Sequence, residues 1–137
     1  MNTGNTAEQG ERPRILVVED DASLRRSIQM LLQGRGFQVR AFAGADPMLL
    51  DEKIDEAVCL VADYRLGNRD GVELLHSLRA RGWQGPAILI TAYSSDMVRR
   101  SAEQAGFIEI IEKPLKERVL VNTVARLTNR QLDESRW

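Results

Sequence analysis

Ile15-Leu16-Val17-Val18-Glu19-Asp20-Asp21 is followed by Leu24, Ile28, Leu31 and Leu32, and then by Gly34 and Gly36. Four consecutive apolar residues predict a buried strand. The apolar stripe at i, i+4, i+7 and i+8 predicts an amphipathic helix, and the two glycines mark its end. A strand therefore leads through three acidic residues into a helix, and the fold turns on whether that unit recurs.

It recurs along the chain. Phe37 to Phe42 reads as a second, weaker strand, followed by a short helix from Ala45 to Lys53 that opens on Asp46-Pro47. A third strand runs from Ala57 to Ala62, a loop from Asp63 to Gly71, and a third helix carries Val72, Leu75 and Leu78 until Gly82. Pro86 introduces the fourth strand, Ala87-Ile88-Leu89-Ile90-Thr91, and Val98, Ala102 and Ala105 form the thin stripe of a helix closed by Gly106. Phe107 to Ile111 reads as strand five before Pro114, and Leu120, Thr123, Val124 and Leu127 share one face of a last helix. Five strands alternating with five helices predict a parallel sheet, since parallel neighbours need crossover connections. Strands one, three and four are apolar on both faces, which predicts helices on both sides: a doubly wound, three-layer α/β sandwich.

Composition bounds the alternatives. The chain has 137 residues, 43% hydrophobic and 28% charged, enough for one domain with a core that needs neither disulfides nor a structural metal. Nineteen Lys plus Arg against 20 Asp plus Glu leave a net charge of −1, which argues against nucleic-acid or anionic-membrane binding by this segment. No apolar run is long enough to span a bilayer and the polar N-terminus has no signal-peptide core, so a soluble, cytoplasmic protein is expected. The single Cys59 lies in an apolar run and is expected to be a small buried hydrophobe. Residues 1–13 read as a flexible leader, 14–130 as the domain, and 131–137 as a tail or the start of a linker.

In doubly wound sheets, ligand chemistry sits at the carboxyl ends of the strands. Those ends carry Glu19-Asp20-Asp21, Asp63, Thr91 and Lys113-Pro114. Each has an ordinary explanation alone, as a cap, a strand residue or a strand terminator. Together they gather carboxylates, a hydroxyl and an ammonium on one edge. Two carboxylates about 4 Å apart repel by about 4 kcal/mol at an effective dielectric of 20, so Glu19, Asp20 and Asp63 call for a cation. Mg²⁺ fits, because it takes oxygen ligands from one or two carboxylates and completes its shell with water and a phosphoryl group. Asp21 or Ser23 is expected to start helix one, and Asp70 to cap helix three, with Gly71 permitting the turn.

Val17-Val18-Glu19-Asp20, Asp63 with Asp70-Gly71, Ile90-Thr91-Ala92 and Lys113-Pro114 resemble the motif set of response-regulator receiver domains, in the right order and at matching strand ends. The resemblance spans about residues 14 to 130 and implies the flavodoxin-like strand order 2-1-3-4-5. It implies that Asp63 accepts a phosphoryl group from a sensor histidine kinase or phosphotransfer protein. Glu19, Asp20, Asp63 and the backbone carbonyl of Arg65 would hold Mg²⁺. Thr91 would hydrogen-bond a phosphoryl oxygen, and Lys113 would pair with Asp63 and then with the phosphoryl charge. Ala92 is small enough to leave the phosphate site open. Such a domain is a phosphoacceptor rather than an enzyme acting on outside substrates, and it signals to an output domain or downstream protein.

Two departures from the family pattern stand out. Ile110 occupies the position of a rotating aromatic, and Gly67 replaces a common proline, which predicts a more flexible loop. Tyr93 reads either as a control on water access or as a plain surface aromatic. Helix four, with its thin stripe and a start three or four residues after Thr91, is expected to be the least firmly packed and to shift with the loop from Ala92 to Asp96 on phosphorylation. Arg99, Arg100, Lys116, Arg118 and Arg126 read as solvated helix charges or as a partner face, and the helix four, strand five and helix five surface as a possible homodimer contact. Arg25 and Arg26 belong, by the resemblance, to a kinase-docking surface, while His76 and Trp83 read as packing or surface residues. A receiver-like interaction module without phosphorylation is the competing reading, and the complete set Glu19, Asp20, Asp63, Thr91 and Lys113 argues against it. A flavodoxin-like enzyme on the same fold lacks the phosphate-cradling loop after strand one.

Overall fold

The computed structural model describes residues 12–128, so most of the leader and the whole of the tail read from the sequence lie outside the described residues. Five parallel strands, β1 (Arg14–Val18), β2 (Gln38–Phe42), β3 (Ala57–Asp63), β4 (Ala87–Thr91) and β5 (Glu109–Glu112), pair in the order β2-β1-β3-β4-β5. The helices are α1 (Ala22–Gln33), α2 (Ala45–Leu49), α3 (Gly71–Ala80), α4 (Asp96–Ala105) and α5 (Glu117–Leu127). The order reverses at β1, between β2 and β3, as expected of the doubly wound sheet.

Alternation of side chains along each strand divides the core into two. Leu16, Val18, Leu60, Ala62, Ala87 and Leu89 face a cluster with Met48 of α2, Leu74, Leu75 and Leu78 of α3, and Val98 and Ala102 of α4. Ile15, Val17, Cys59, Val61, Ile88 and Ile90 face the opposite cluster, with Ile28 and Leu32 of α1 and Leu120, Val121 and Val124 of α5. Each buried Leu or Ile contributes about 1.5–3 kcal/mol, so two opposed apolar layers account for the sheet's position without any crosslink. Cys59 is buried in the second cluster, and burial pushes its thiol up to about 12, which makes it inert at neutral pH. The edge strands β2 and β5 each have one buried residue, whereas β1, β3 and β4 are buried along most or all of their length.

Strands two, three and five also shift by one residue at an end, and the larger departures from the sequence reading each have a local reason. The second helix stops at Leu49 rather than Lys53, because the Asp51 carboxylate accepts the Lys53 N–H at 3.0 Å and turns the chain into a 3₁₀ turn, Ile54–Glu56. Strand five begins at Glu109 rather than Phe107. The left-handed Gly106 lets both its own N–H and that of Phe107 bond the Ala102 carbonyl, so Phe107 belongs to the end of α4. Helix α4 starts at Asp96, five residues after Thr91, because Ser95 caps it by accepting the Val98 N–H. The segment from Asp63 to Gly71 contains a two-residue antiparallel ladder, Arg65–Leu66 with Arg69–Asp70, turning through Gly67 at φ 76°.

Trp83 is a packing residue, not a surface one. It is buried, its indole N–H donates to the Ala57 carbonyl at 3.0 Å, and the Arg79 guanidinium lies 5.3 Å from its ring. Trp83→Phe keeps a ring but removes the donor, and is expected to lower unfolding free energy by about 1–2 kcal/mol in urea titrations. A midpoint equal to wild type would show that the bond contributes nothing net. His76 is exposed on α3.

Candidate functional site

The carboxyl ends of β1, β3, β4 and β5 meet because the sheet is parallel. Glu19 follows β1 directly, Asp63 ends β3, Thr91 ends β4 and Lys113 follows β5. Asp63 pairs with Ile90 across the β3–β4 ladder, so Thr91 stands one residue further along the neighbouring strand. The Lys113 N–H in turn donates to the Thr91 carbonyl at 2.8 Å, which ties the lysine to the end of β4. The Lys113–Pro114 peptide is cis.

Carboxylate oxygens of Glu19, Asp20 and Asp63 lie within 4.8 Å of one another. Glu19 and Asp63 are buried while Asp20 is exposed, so the cluster opens to solvent on the Asp20 side. Lys113 Nζ sits 2.6 Å from Asp63 Oδ2 and 3.4 Å from Glu19 Oε1. Asp63 Oδ1 also accepts the Arg65 N–H at 3.2 Å. Burial first, then the hydrogen bond and charge of Asp63, raise the Glu19 carboxyl from its ordinary 4.5 to about 7, against the Asp21 N–H bond and Lys113, which lower it. Burial works to lower the Lys113 ammonium's pKa, but the hydrogen bond and charge of Asp63, with Glu19 behind it, outweigh that and raise it. Three carboxylates thus face one ammonium, and Glu19 Oε1 is buried without a hydrogen-bond donor. That orphaned oxygen and the oxygen-only donor set fit a hard divalent cation.

The surplus of acid has a measurable consequence in metal-free buffer. Because the folded state raises Glu19's pKa, ionising it costs stability: the cost is absent below about pH 4.5, grows through pH 7 and is full above it. Glu19→Gln is expected to be more stable than wild type at pH 8, by on the order of 2 kcal/mol, and equal to it near pH 4. Denaturant titrations in a chelator at both pH values check this, and parallel pH profiles for the two proteins would contradict it.

Thr91 is buried, and its hydroxyl is engaged locally. Oγ1 donates to the Tyr93 carbonyl at 2.8 Å and accepts the Tyr93 N–H at 3.1 Å, while the Tyr93 side chain points out, 68% exposed. Nothing in the sequence marked this turn. Asp21 caps α1 by accepting the Leu24 N–H at 3.0 Å. Asp70 and Glu73 form a reciprocal capping box at the start of α3. Gly71 is needed for a different reason from the one read in the sequence: its φ is not positive, but a Cβ there would lie 2.6 Å from the Asp63 carbonyl oxygen. Beside the site, Ile110 is half-buried against the core, and Arg99 and Arg126 pair with Glu112 and Glu109 at the two ends of β5.

The model of the response regulator receiver domain family matches residues 15–125. The chain belongs to that family. Nodulation protein W of Bradyrhizobium diazoefficiens is 32% identical over 127 residues, covering 93% of this chain and 56% of that protein. The transcriptional regulatory protein TdiR of Thauera aromatica is 30% identical over 125 residues, covering 90% of this chain and 55% of TdiR. A CheY-like receiver domain protein from Methanospirillum hungatei superposes with a TM-score of 0.79 at 25% identity, covering 91% of this chain and 99% of that one. The chain is therefore a receiver domain of the two-component response regulators, and it spans about half the length of the curated relatives it matches. Among the described residues, no helix of this receiver domain is long and apolar enough to cross a membrane.

Proposed function

We propose that Asp63 is the phosphoacceptor of this receiver domain and that the donor is a phosphohistidine of a sensor kinase or phosphotransfer protein. The observation that carries this reading is the Asp63 carboxylate held at the end of β3 by Lys113 at 2.6 Å, with Glu19 and Asp20 within 4.8 Å. In the transfer, an Asp63 oxygen forms the new P–O bond as the P–N bond to the donor imidazole breaks. The bonding pair leaves with the imidazole nitrogen, which takes up a proton, and an acyl phosphate remains.

Little covalent work falls to the protein in such a step, so its residues act by position and charge. Mg²⁺, when held by Glu19, Asp20, Asp63 and the Arg65 carbonyl, supplies neutralising charge to the phosphoryl oxygens. Lys113 exchanges its Asp63 partner for a phosphoryl oxygen, and the Thr91 hydroxyl leaves the Tyr93 carbonyl to donate to another. The segment from Ala92 to Ser95 moves with that hydroxyl and carries α4, whose buried stripe is only Val98, Ala102 and Ala105. Ile110 has no ring to rotate, so this loop is the route by which the signal leaves the site. The recipient is an output domain or a separate downstream protein.

Incubation with acetyl phosphate, followed by intact mass measurement, tests the reading. One phosphate is expected to add in the presence of Mg²⁺ and none in a chelator. No gain with Mg²⁺ and donor would overturn it.

A further inference from the structure

The turn carrying Glu19 and Asp20 is only three residues long, between Val18 at the end of β1 and Ala22 at the start of α1. The Glu19 N–H donates to the Phe42 carbonyl at 3.0 Å, and Glu19 Oε2 accepts the Asp21 N–H at 3.1 Å. The Glu19 carbonyl lies beyond the last pairing of β1, which is Val18 with Phe42 and Ala62, so the sheet offers it no partner. Arg25 supplies one: its Nη1 donates to that oxygen at 2.8 Å. Arg25 is half-buried near the start of α1, and its own N–H bonds the Asp21 carbonyl at 2.9 Å, so the turn and the helix hold each other. The neighbouring Arg26 is exposed.

The Glu19 carbonyl and the Asp20 N–H share one rigid peptide plane. Holding that oxygen fixes the direction in which the chain enters Asp20, and with it where the exposed Asp20 carboxylate is aimed. We infer that Arg25 is a positioning residue of the cation site, orienting the Glu19–Asp20 peptide so that the two acids converge with Asp63. The inference rests on the reading of the acidic cluster as a Mg²⁺ site. It gives Arg25 a task separate from the kinase contact that the family resemblance implies, and leaves that contact to the exposed Arg26.

Calorimetric titration of Mg²⁺ into the full chain tests it, with Arg25→Ala, Arg25→Lys and the neighbouring control Arg26→Ala, and with thermal melts of each in a chelator. Arg25→Ala is expected to raise the Kd for Mg²⁺ about tenfold, the size seen when a group that orients a ligand is lost. Arg25→Lys keeps a donor and a charge and recovers part of that loss, while Arg26→Ala matches wild type. A wild-type Kd for Arg25→Ala overturns the inference whether or not its melting temperature falls, since Arg25 then only secures the helix. A wild-type Kd combined with slower phosphoryl transfer from a kinase overturns it in favour of docking. Should Arg25→Ala not fold, Arg25→Lys carries the same test: a Kd raised about threefold supports the inference and a wild-type Kd overturns it. A wild-type chain that binds no Mg²⁺ removes the site reading itself, so the two failures are distinguishable.

Discussion

Asp63→Asn takes up phosphate at least about a thousandfold more slowly than wild type, to the point of no detectable mass gain, while remaining folded. The amide oxygen is a poor nucleophile beside a carboxylate, and removal of an attacking group is among the largest single losses a phosphoryl-transfer site can suffer. The fold survives because Asn fills the same volume and its single carbonyl oxygen still accepts from one of the two donors that reach Asp63, the Arg65 N–H on Oδ1 at 3.2 Å or Lys113 on Oδ2 at 2.6 Å. Its neutral side chain also removes the Asp63 contributions that, after burial, push Glu19's pKa upward. Intact mass and circular dichroism on the same sample separate lost chemistry from lost structure. Phosphate retained by Asp63→Asn at the wild-type rate would place the acceptor elsewhere.

Gly71→Ala is expected to produce a large structural effect for one added carbon. Two opposed terms meet at this position. Ala is a better helix former than Gly by about 1 kcal/mol, which would stabilise the start of α3 if the glycine served only conformation. Against that, the added Cβ would lie 2.6 Å from the Asp63 carbonyl oxygen and 3.0 Å from Leu89 Cδ1, and Leu89 is fully buried. The carbonyl belongs to the backbone of β3 and cannot rotate away. Overpacking against such a wall costs typically 1–3 kcal/mol and occasionally more, so it wins, and a net destabilisation of about 2 kcal/mol is expected in urea titrations. The displaced group is Asp63 itself, so phosphate uptake slows too, which a surface helix substitution would not cause. A variant more stable than wild type would show that the close approach relaxes without cost.

The parallel sheet was legible because β1, β3 and β4 are built on uninterrupted apolar runs and the longer helices carry stripes at 3.6-residue spacing, and these patterns arise directly from burial on two faces. The placement of Asp63, Thr91 and Lys113 at strand ends followed from the same runs, since the chemistry begins where the apolar residues stop. What escaped was set by contacts between distant segments. Gly71 reads as a turn glycine until β3 is placed against α3, and Phe107 reads as strand until the left-handed Gly106 hands its N–H to Ala102. The early end of α2 depends on the Asp51 side chain competing for the Lys53 N–H, a choice that helix periodicity does not record. Arg25 reads, with Arg26, as part of a docking surface, because its acceptor is a backbone carbonyl six residues earlier in the chain that no sequence pattern records.

Chemical trapping of the phosphorylated residue tests the central claim most directly. An aspartyl phosphate is a mixed anhydride that borohydride reduces to homoserine, a stable mark that survives digestion and peptide sequencing by mass. After incubation with Mg²⁺ and acetyl phosphate, homoserine is predicted at position 63 alone. Homoserine at Glu19's neighbour Asp20 or at any other aspartate, with position 63 unmodified, would contradict the account.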